Sequence, residues 1–450
     1  MRRRTAYPLR LLGAAALALF AVACGSAATD PPPPSSSPTP DPPNEWPMYG
    51  HDPSRTGVNP GETVLKTAMV ARLAPRWQAL VGQGPRPPSG TPAVAGGRVF
   101  VGSSVEEGDN FFSFDAASGR QVWSADLGRP VEGGVGIGAG AAVAGGVVVA
   151  GGADAAYYGL DASTGAVLWR HALDVGASGF AWASPLVASG RAYIGVSSEG
   201  DNPPVPGELR ALDLATGTLL ASRAFVPEGV RGAGIWNSPA LSPDGQTLVV
   251  ATGEDHDGYD GPYNRAMVSL DPVTLEIRQA NKQGATDLDL DFGTTPVFFS
   301  DAQRRVLVGA NHKNGVFYAY VLGDIATGPL WQRAIGVSVG MMPAYDAGQG
   351  RGGTLYAVGD NGQLFALDPA TGQDRWPPVA VGFMHGNMAL ANGLIFVSTG
   401  GRVMVLDGAS GQALRILGPD NPGASYSGVA VAGSVVYWLS GPFLNAWGSS

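Results

Sequence analysis

From Glu45 onward short apolar runs alternate with glycine-bearing turns, and the same frame returns along the rest of the chain. Ala93-Val94-Ala95-Gly96-Gly97-Arg98-Val99-Phe100-Val101 and Leu186-Val187-Ala188-Ser189-Gly190-Arg191-Ala192-Tyr193-Ile194 are examples. Each reads as two strands joined at the glycine, a hairpin. A third strand ending in Leu-Asp or Phe-Asp follows, then two residues, then Thr/Ser-Gly, then a fourth strand that often carries a tryptophan. The clearest copies are Phe114-Asp115 to Ser118-Gly119 with Trp123, Leu160-Asp161 to Thr164-Gly165 with Trp169, and Leu367-Asp368 to Thr371-Gly372 with Trp376. Weaker copies stand at Leu212-Asp213 with Thr216-Gly217, Leu270-Asp271 with Thr274, and Leu406-Asp407 with Ser410-Gly411. Tyr320-Val321 before Trp331 is degenerate, and Leu444-Asn445 is the last. Neighbouring copies lie about 40–60 residues apart, the length of a four-stranded propeller blade. The pattern predicts an all-β fold, an eight-bladed β-propeller of antiparallel blades over residues 45–450.

The motif has a structural chemistry. Asp accepts backbone N–H groups across the turn, Gly takes the φ > 0 position, and Trp offers a flat face to the next blade. The last repeat, Val429 to Trp447, lacks an outer strand, whereas Arg76 to Val81 is a strand without a blade. Pairing the two would close the ring and remove an exposed edge.

Composition supports a single turn-rich body. There are 67 Gly and 36 Pro, and only 14% of residues are charged. The net charge is −9 and no basic run follows Arg10, which argues against nucleic acid as a partner. Residues 1–24 read as a signal peptide, with Arg2, Arg3 and Arg4 before the apolar stretch Leu11 to Val22. Cys24, the single cysteine, follows Ala21-Val22-Ala23 and resembles the lipidation site of bacterial lipoproteins. The expectation is an exported protein held on the extracytoplasmic face of a membrane by a lipid anchor. Residues 25–44, with Pro31 to Pro34 and further prolines and serines, read as an extended tether. No Cys-x-x-Cys-His occurs, so no haem of the c type is expected.

The blade signature, together with the opening Trp46-Pro47-Met48-Tyr49-Gly50-His51-Asp52-Pro53, resembles the pyrroloquinoline-quinone (PQQ) repeat family. That family includes PQQ-dependent alcohol dehydrogenases, polyvinyl-alcohol-dehydrogenase-like proteins and a cofactor-free lipoprotein scaffold for outer-membrane protein assembly. Fold follows from the resemblance, but function must be argued from the site. Three segments resemble the enzymes. Gly232-Ala233-Gly234-Ile235-Trp236 is similar to the strand that lays a Trp beneath the quinone, which makes Trp236 the cofactor floor. Asp291, in Asp287-Leu288-Asp289-Leu290-Asp291, falls at the catalytic base, and Lys313, in Asn311-His312-Lys313-Asn314-Gly315, at the cation that bonds the quinone oxygens. The resemblance also implies Ca²⁺ held by Glu254, Asp291 and a carboxylate from the preceding blade, Glu199 or Asp201.

Several family features are missing. No adjacent cysteines can form a lid, no Arg lies between Gly133 and Gly140, and Gly340-Met341 stands before Met342-Pro343 where the family has an Asn-Trp pair preceding a Pro. Two readings therefore stand side by side. One is a lipoprotein oxidising an alcohol with PQQ and Ca²⁺ and passing electrons to a separate acceptor. The other is a cofactor-free scaffold that binds protein partners in the cell envelope, or a former enzyme that keeps the constellation for stability. In the second, Trp236 is packing and Lys313 is the counter-ion of Asp287, Asp289 and Asp291, which alternation would place on one side of a strand. The segment Glu254-Asp255-His256-Asp257-Gly258-Tyr259-Asp260-Gly261 offers oxygen ligands for a surface Ca²⁺ but lacks the spacing of a recognised calcium loop. The five histidines show no pair at zinc-ligand spacing.

Overall fold

The computed structural model describes residues 43–449, apart from 131–134, 177, 201–203, 285–288, 349–351 and 384. Cys24, the residues read from the sequence as a signal peptide and most of those read as a tether therefore lie outside the described residues, as do Asp201 and Asp287.

Eight four-stranded antiparallel meanders are arranged in a ring, with a single short α-helix among the described residues, at Thr67–Val70. The first blade runs Ala93–Ala95, Arg98–Gly102, Phe111–Asp115 and Gln121–Ala125, and the next six repeat that order along the chain. Blade 8 takes Ala430–Ala432, Val435–Ser440 and Phe443–Ser449 from the C-terminal end and its outer strand, Leu73–Leu80, from the N-terminal end. The register runs from Leu73 opposite Ser449 to Leu80 opposite Phe443, so the expected closure is present. It leaves no free inner edge where the chain ends meet.

Burial follows position in the blade. Innermost strands such as Ala93–Ala95 and Ala430–Ala432 carry small, wholly buried side chains, because eight strands converge on the axis. Second strands are buried on both faces, as in Val147–Gly151. Outer strands turn one face to solvent, where Val167 and Leu168 are exposed while Trp169 is buried.

The repeated tryptophans join the blades. Each lies against the turn glycine of the next blade: Trp77 on Gly119, Trp123 on Gly165, Trp169 on Gly217, Trp331 on Gly372 and Trp376 on Gly411. A Cβ at Gly165 would come within 2.6 Å of the Trp123 ring, and φ there is +77°, so glycine is required on both counts. Each indole N–H also donates to a carbonyl of that neighbouring turn, for example Trp169 Nε1 to Leu214 O at 2.9 Å. Three blades have no such tryptophan and use another outer-strand donor instead. Arg223 reaches Leu275 O, Gln279 reaches Gly323 O, and Arg415 reaches Val70 O, at 2.9, 2.6 and 2.9 Å. The weaker copies noted in the sequence, at Leu212-Asp213, Leu270-Asp271 and Leu406-Asp407, thus keep an outer-strand bond while changing the residue.

The opening segment crosses one end of the ring as a strap. Backbone bonds tie Trp46 to Val94, Pro47 to Val143, Pro53 to Leu241, Ser54 to Phe298, Thr56 to Tyr345 and Gly57 to Leu390, each on an innermost strand beside its hairpin turn. Asn59 Nδ2 reaches Val431 O of blade 8 at 2.7 Å. Blade 3 is held through Arg55, a fully buried arginine whose guanidinium donates to the carbonyls of Tyr49, Ser184, Pro185 and Pro239. One segment therefore touches all eight blades and covers this end of the channel.

Candidate functional site

The other end of the strands carries the connectors between blades and the loops between second and third strands, and these bring the sequence-predicted residues together. Trp236 lies in the connector from blade 3 to blade 4, and Asp291 in the connector from blade 4 to blade 5. Glu199 and Glu254 begin the central loops of blades 3 and 4, and Lys313 sits in the hairpin of blade 5. All five line one cavity of about 270 Å³ together with Trp182, Gly234 and Gly253.

Asp291 is the centre of the constellation. It is 1% exposed. Its Oδ2 accepts the Trp236 Nε1–H at 2.8 Å, and Lys313 Nζ lies 2.8 Å from its Oδ1. Lys313 also pairs with Asp289 and stands 4.8 Å from the centroid of the Trp236 ring. Burial raises the Asp291 pKa above the usual carboxylate range, and the Lys313 charge opposes that rise. Burial works to lower the Lys313 pKa, but the two carboxylates outweigh it, so the ammonium is held strongly. Backbone bonds fix the frame: Lys313 N donates to Asp291 O at 2.8 Å, and Gly253 N to Gly234 O at 2.9 Å. A Cβ on Gly253 would lie 2.9 Å from Gly234 N and 3.4 Å from Asp291 Oδ2, so this floor needs glycine.

Oxygen atoms of Glu254, Asp289 and Asp291 lie within 4.8 Å of one another. Such a set of carboxylates against one ammonium suits a hard cation with oxygen ligands. Glu199 lines the same cavity but stands outside this triad, and its Oε1 accepts the Val135 N–H at 3.1 Å. The alternation read from the sequence is corrected. Residues 289–291 form a turn rather than a strand, with Asp289 at φ +65°, its side chain 68% exposed and that of Asp291 only 2%. Lys313 is indeed the counter-ion of two of the aspartates, as one reading held.

The acidic loop after Glu254 is held by cations. Buried Arg265 pairs with Asp255 and Asp260, Lys282 pairs with Asp260, and Arg231 with Asp257. These ion pairs engage Asp255, Asp257 and Asp260, three of the carboxylates that the sequence offered to a surface Ca²⁺. Met341 and Met342 are buried in the apolar packing, Met342 facing the strap glycine Gly50, so the segment that departs from Asn-Trp turns no side chain toward the cavity.

Trp182 was not singled out from the sequence, although the signal was there. Trp182-Ala183-Ser184-Pro185 and Trp236-Asn237-Ser238-Pro239 occupy equivalent connectors of blades 3 and 4. Trp182 packs on Phe180 with centroids 4.7 Å apart and donates Nε1–H to Ser198 O. A second cavity, about 320 Å³, shares Trp182, Trp236 and Val339 with the first and runs down the channel to the strap residue Tyr49.

His312, beside Lys313, is fully buried against Phe292 and Tyr318, and burial lowers its pKa to about 4. Its Nδ1 accepts the Asn314 N–H at 3.1 Å, so the ring is neutral in the fold. Between pH 6.5 and 4 the unfolded chain binds this proton and the folded chain does not, so stability is present above pH 6.5 and is lost on acidification through that window. The loss from this group approaches roughly 3 kcal/mol. Urea titrations from pH 7 to 4 should show the slope, and His312→Gln should flatten it.

Comparison with known proteins bears on this site. The chain matches the family described as outer membrane protein assembly factor BamB over residues 66–223, 110–349 and 324–438. It is 24% identical over 390 residues to a polyvinylalcohol dehydrogenase of a Pseudomonas species, covering 75% of this chain and 59% of that protein. The chain thus spans well under two thirds of that curated relative. Among solved structures it resembles the quinohemoprotein alcohol dehydrogenase of Comamonas testosteroni, with TM-score 0.71 and 17% identity over 90% of this chain and 80% of the other. A europium-containing methanol dehydrogenase gives TM-score 0.70 and 16% identity over 88% and 90%. BamB of Moraxella catarrhalis gives 0.54 and 19% over 84% and 97%. These structures share the propeller fold with this chain.

Proposed function

We propose that this chain, which belongs to the PQQ-repeat family described as outer membrane protein assembly factor BamB, binds PQQ with Ca²⁺ and oxidises an alcohol. The observation that carries the proposal is the convergence of Trp236, Asp291, Lys313, Glu254 and Glu199 on one cavity from three different blades. The donor set fits the group. Glu254 and Asp291, with Glu199 at the same wall, would hold the cation, and the indoles of Trp236 and Trp182 would flank the planar quinone. When bound, PQQ supplies the acceptor for hydride equivalents, and Ca²⁺ polarises its carbonyl.

Under this reading the chain's own residues take the following roles. Asp291, desolvated and oriented by the Trp236 N–H, takes the proton of the substrate hydroxyl. Lys313, held as an ammonium, stabilises negative charge that develops beside it. The electrons would pass to a separate acceptor. Cys24 would be lipidated after export, so the body would work on the extracytoplasmic side of a membrane. No helix among the described residues is long and apolar enough to cross one.

The family's description favours a second reading, a cofactor-free scaffold in envelope assembly, in which the Lys313–Asp291 pair only stabilises the fold. Calorimetric titration with PQQ, with and without Ca²⁺, separates the two. Binding that needs Ca²⁺ and weakens about tenfold or more in Trp236→Ala is expected for the enzyme. Absence of binding in both conditions would leave the scaffold.

A further inference from the structure

The outer strands differ from blade to blade in a way that the repeat does not require. At the two positions before the repeated tryptophan, or before Ala221 in its place in blade 3, blades 1 to 3 carry Gln121-Val122, Val167-Leu168 and Leu219-Leu220. Blade 6 has Asp374-Arg375 there, and blade 8 has Pro75-Arg76. Val122, Val167, Leu168, Leu219 and Leu220 are 40–49% exposed, and Val273, in the turn of blade 4, is 58% exposed. Single exposed aliphatic side chains are ordinary on a protein surface, but six on four consecutive blades make a patch. The blades that carry them are joined wall to wall, because Trp123 lies on Gly165, Trp169 lies on Gly217, and Arg191 of blade 3 donates to Val273 O at 3.3 Å. None of the strands Gln121–Ala125, Val167–Ala172 and Leu219–Ala224 holds a carboxylate, in a chain whose net charge is −9.

All six lie at the end of the ring crossed by the strap. Each follows or sits in the turn between a third and a fourth strand, and those turns bond to the inner hairpin turns beside the strap. Ala116 N, Ala162 N and Leu214 N donate to Gly97 O, Gly146 O and Gly190 O at 2.9, 2.9 and 3.0 Å. The chain enters the fold at the same end: Gly433 N, in the hairpin turn of blade 8, donates to Asn44 Oδ1 at 2.9 Å, one residue from the first described position. Residues 25–42 separate that point from Cys24, at most about 65 Å of chain. A lipid on Cys24 would draw the body to a bilayer by its strap end, and the aliphatic rim gives that end side chains to bury in the interface.

We infer that the strap-end rim of blades 1 to 4 is a membrane-contact surface. Val122, Val167, Leu168, Leu219, Leu220 and Val273 seat in the interface of the bilayer, and the cavity of Asp291 and Lys313, at the other end of the strands, faces the aqueous side. The inference rests on the reading of Cys24 as lipidated and is independent of what the cavity binds. Its driving force is apolar burial, so a zwitterionic surface suffices.

The test uses the lipidated protein in phosphatidylcholine vesicles. Cys24 is the single cysteine and lipidation consumes its thiol, so an introduced cysteine alone takes a thiol-reactive fluorophore. Labels go at Leu168→Cys and Leu220→Cys on the rim. The control is Leu80→Cys, equally apolar and 64% exposed, at the opposite end of the ring, where the next residue, Val81, bonds Pro442 O. Phosphatidylcholine spin-labelled high on its acyl chain should quench both rim fluorophores by about half or more, as a depth of about 5–10 Å requires, and leave the control bright. Thermal unfolding checks that the three variants fold. Rim fluorophores as bright as the control would overturn the contact surface and leave the anchor intact. A rim signal that follows protein concentration and ignores the spin-labelled lipid would overturn it in favour of a second copy of the chain. Labelling of the parent protein, with no cysteine introduced, would show a free Cys24 thiol and overturn the anchor together with the inference.

Discussion

With PQQ and Ca²⁺ saturating, Asp291→Asn should lower the turnover of an alcohol by about 10²–10⁴-fold, as removal of a general base does. The substitution keeps the shape of the side chain and an oxygen that can still accept the Trp236 Nε1–H. What it removes is the site for the proton. A base role predicts that kcat falls with little change in KM, since the interaction lost belongs to the transition state. Asp291 is buried against Lys313, so the variant also leaves that ammonium facing a neutral amide. Lys313 keeps Asp289 as a partner, which limits the cost in stability. Stopped-flow reduction of the bound quinone by a simple alcohol reads the effect directly, and unchanged rates would remove Asp291 from the chemistry.

Arg55→Met should destabilise the protein by about 3–4 kcal/mol, the scale expected when several buried acceptors lose a charged donor. The guanidinium is fully buried and donates to four carbonyls, those of Tyr49 and Pro239 among them, and burial lowers its pKa to about 10. Met fills much of the volume but satisfies none of these groups. Two of the carbonyls, Ser184 O and Pro185 O, belong to the connector that carries Trp182, so the strap and the channel wall are one packed unit. Urea unfolding should show a lower midpoint with an unchanged slope. A midpoint within error of native would mean that the strap is held by its backbone bonds alone.

Recognition of the fold required little beyond local pattern. Leu160-Asp161 to Thr164-Gly165 specifies its own turn: Asp161 Oδ1 accepts the N–H groups of Ser163 and Thr164, and Gly165 takes φ +77°. The same argument placed Trp169 on the following blade. Part of the site was legible because Trp236, Asp291 and Lys313 stand in recognisable segments. Trp182 was legible only by aligning two connectors with each other. Arg265 was not legible at all, because a lone Arg in Tyr263-Asn264-Arg265-Ala266 gives no sign that it will be buried between Asp255 and Asp260. The Asp289 and Asp291 alternation misled for a related reason: a period of two implies one face only when the segment is a strand, and this one turns.

The sequence by itself determined the propeller, the number of blades and the closing of the ring by Leu73–Leu80, because each blade repeats a short-range code whose turns and strand lengths are set by residues a few positions apart. Only the tertiary structure decided which charges meet. Trp236, from the connector ahead of blade 4, meets Asp291 and Lys313 of blade 5, Arg86 and Tyr49 reach the channel from segments outside the repeat, and the strap joins residues near the N-terminus to every blade. Those contacts depend on the curvature and spacing of eight packed sheets, which no local pattern encodes, and charge pairing changes steeply over a few ångströms.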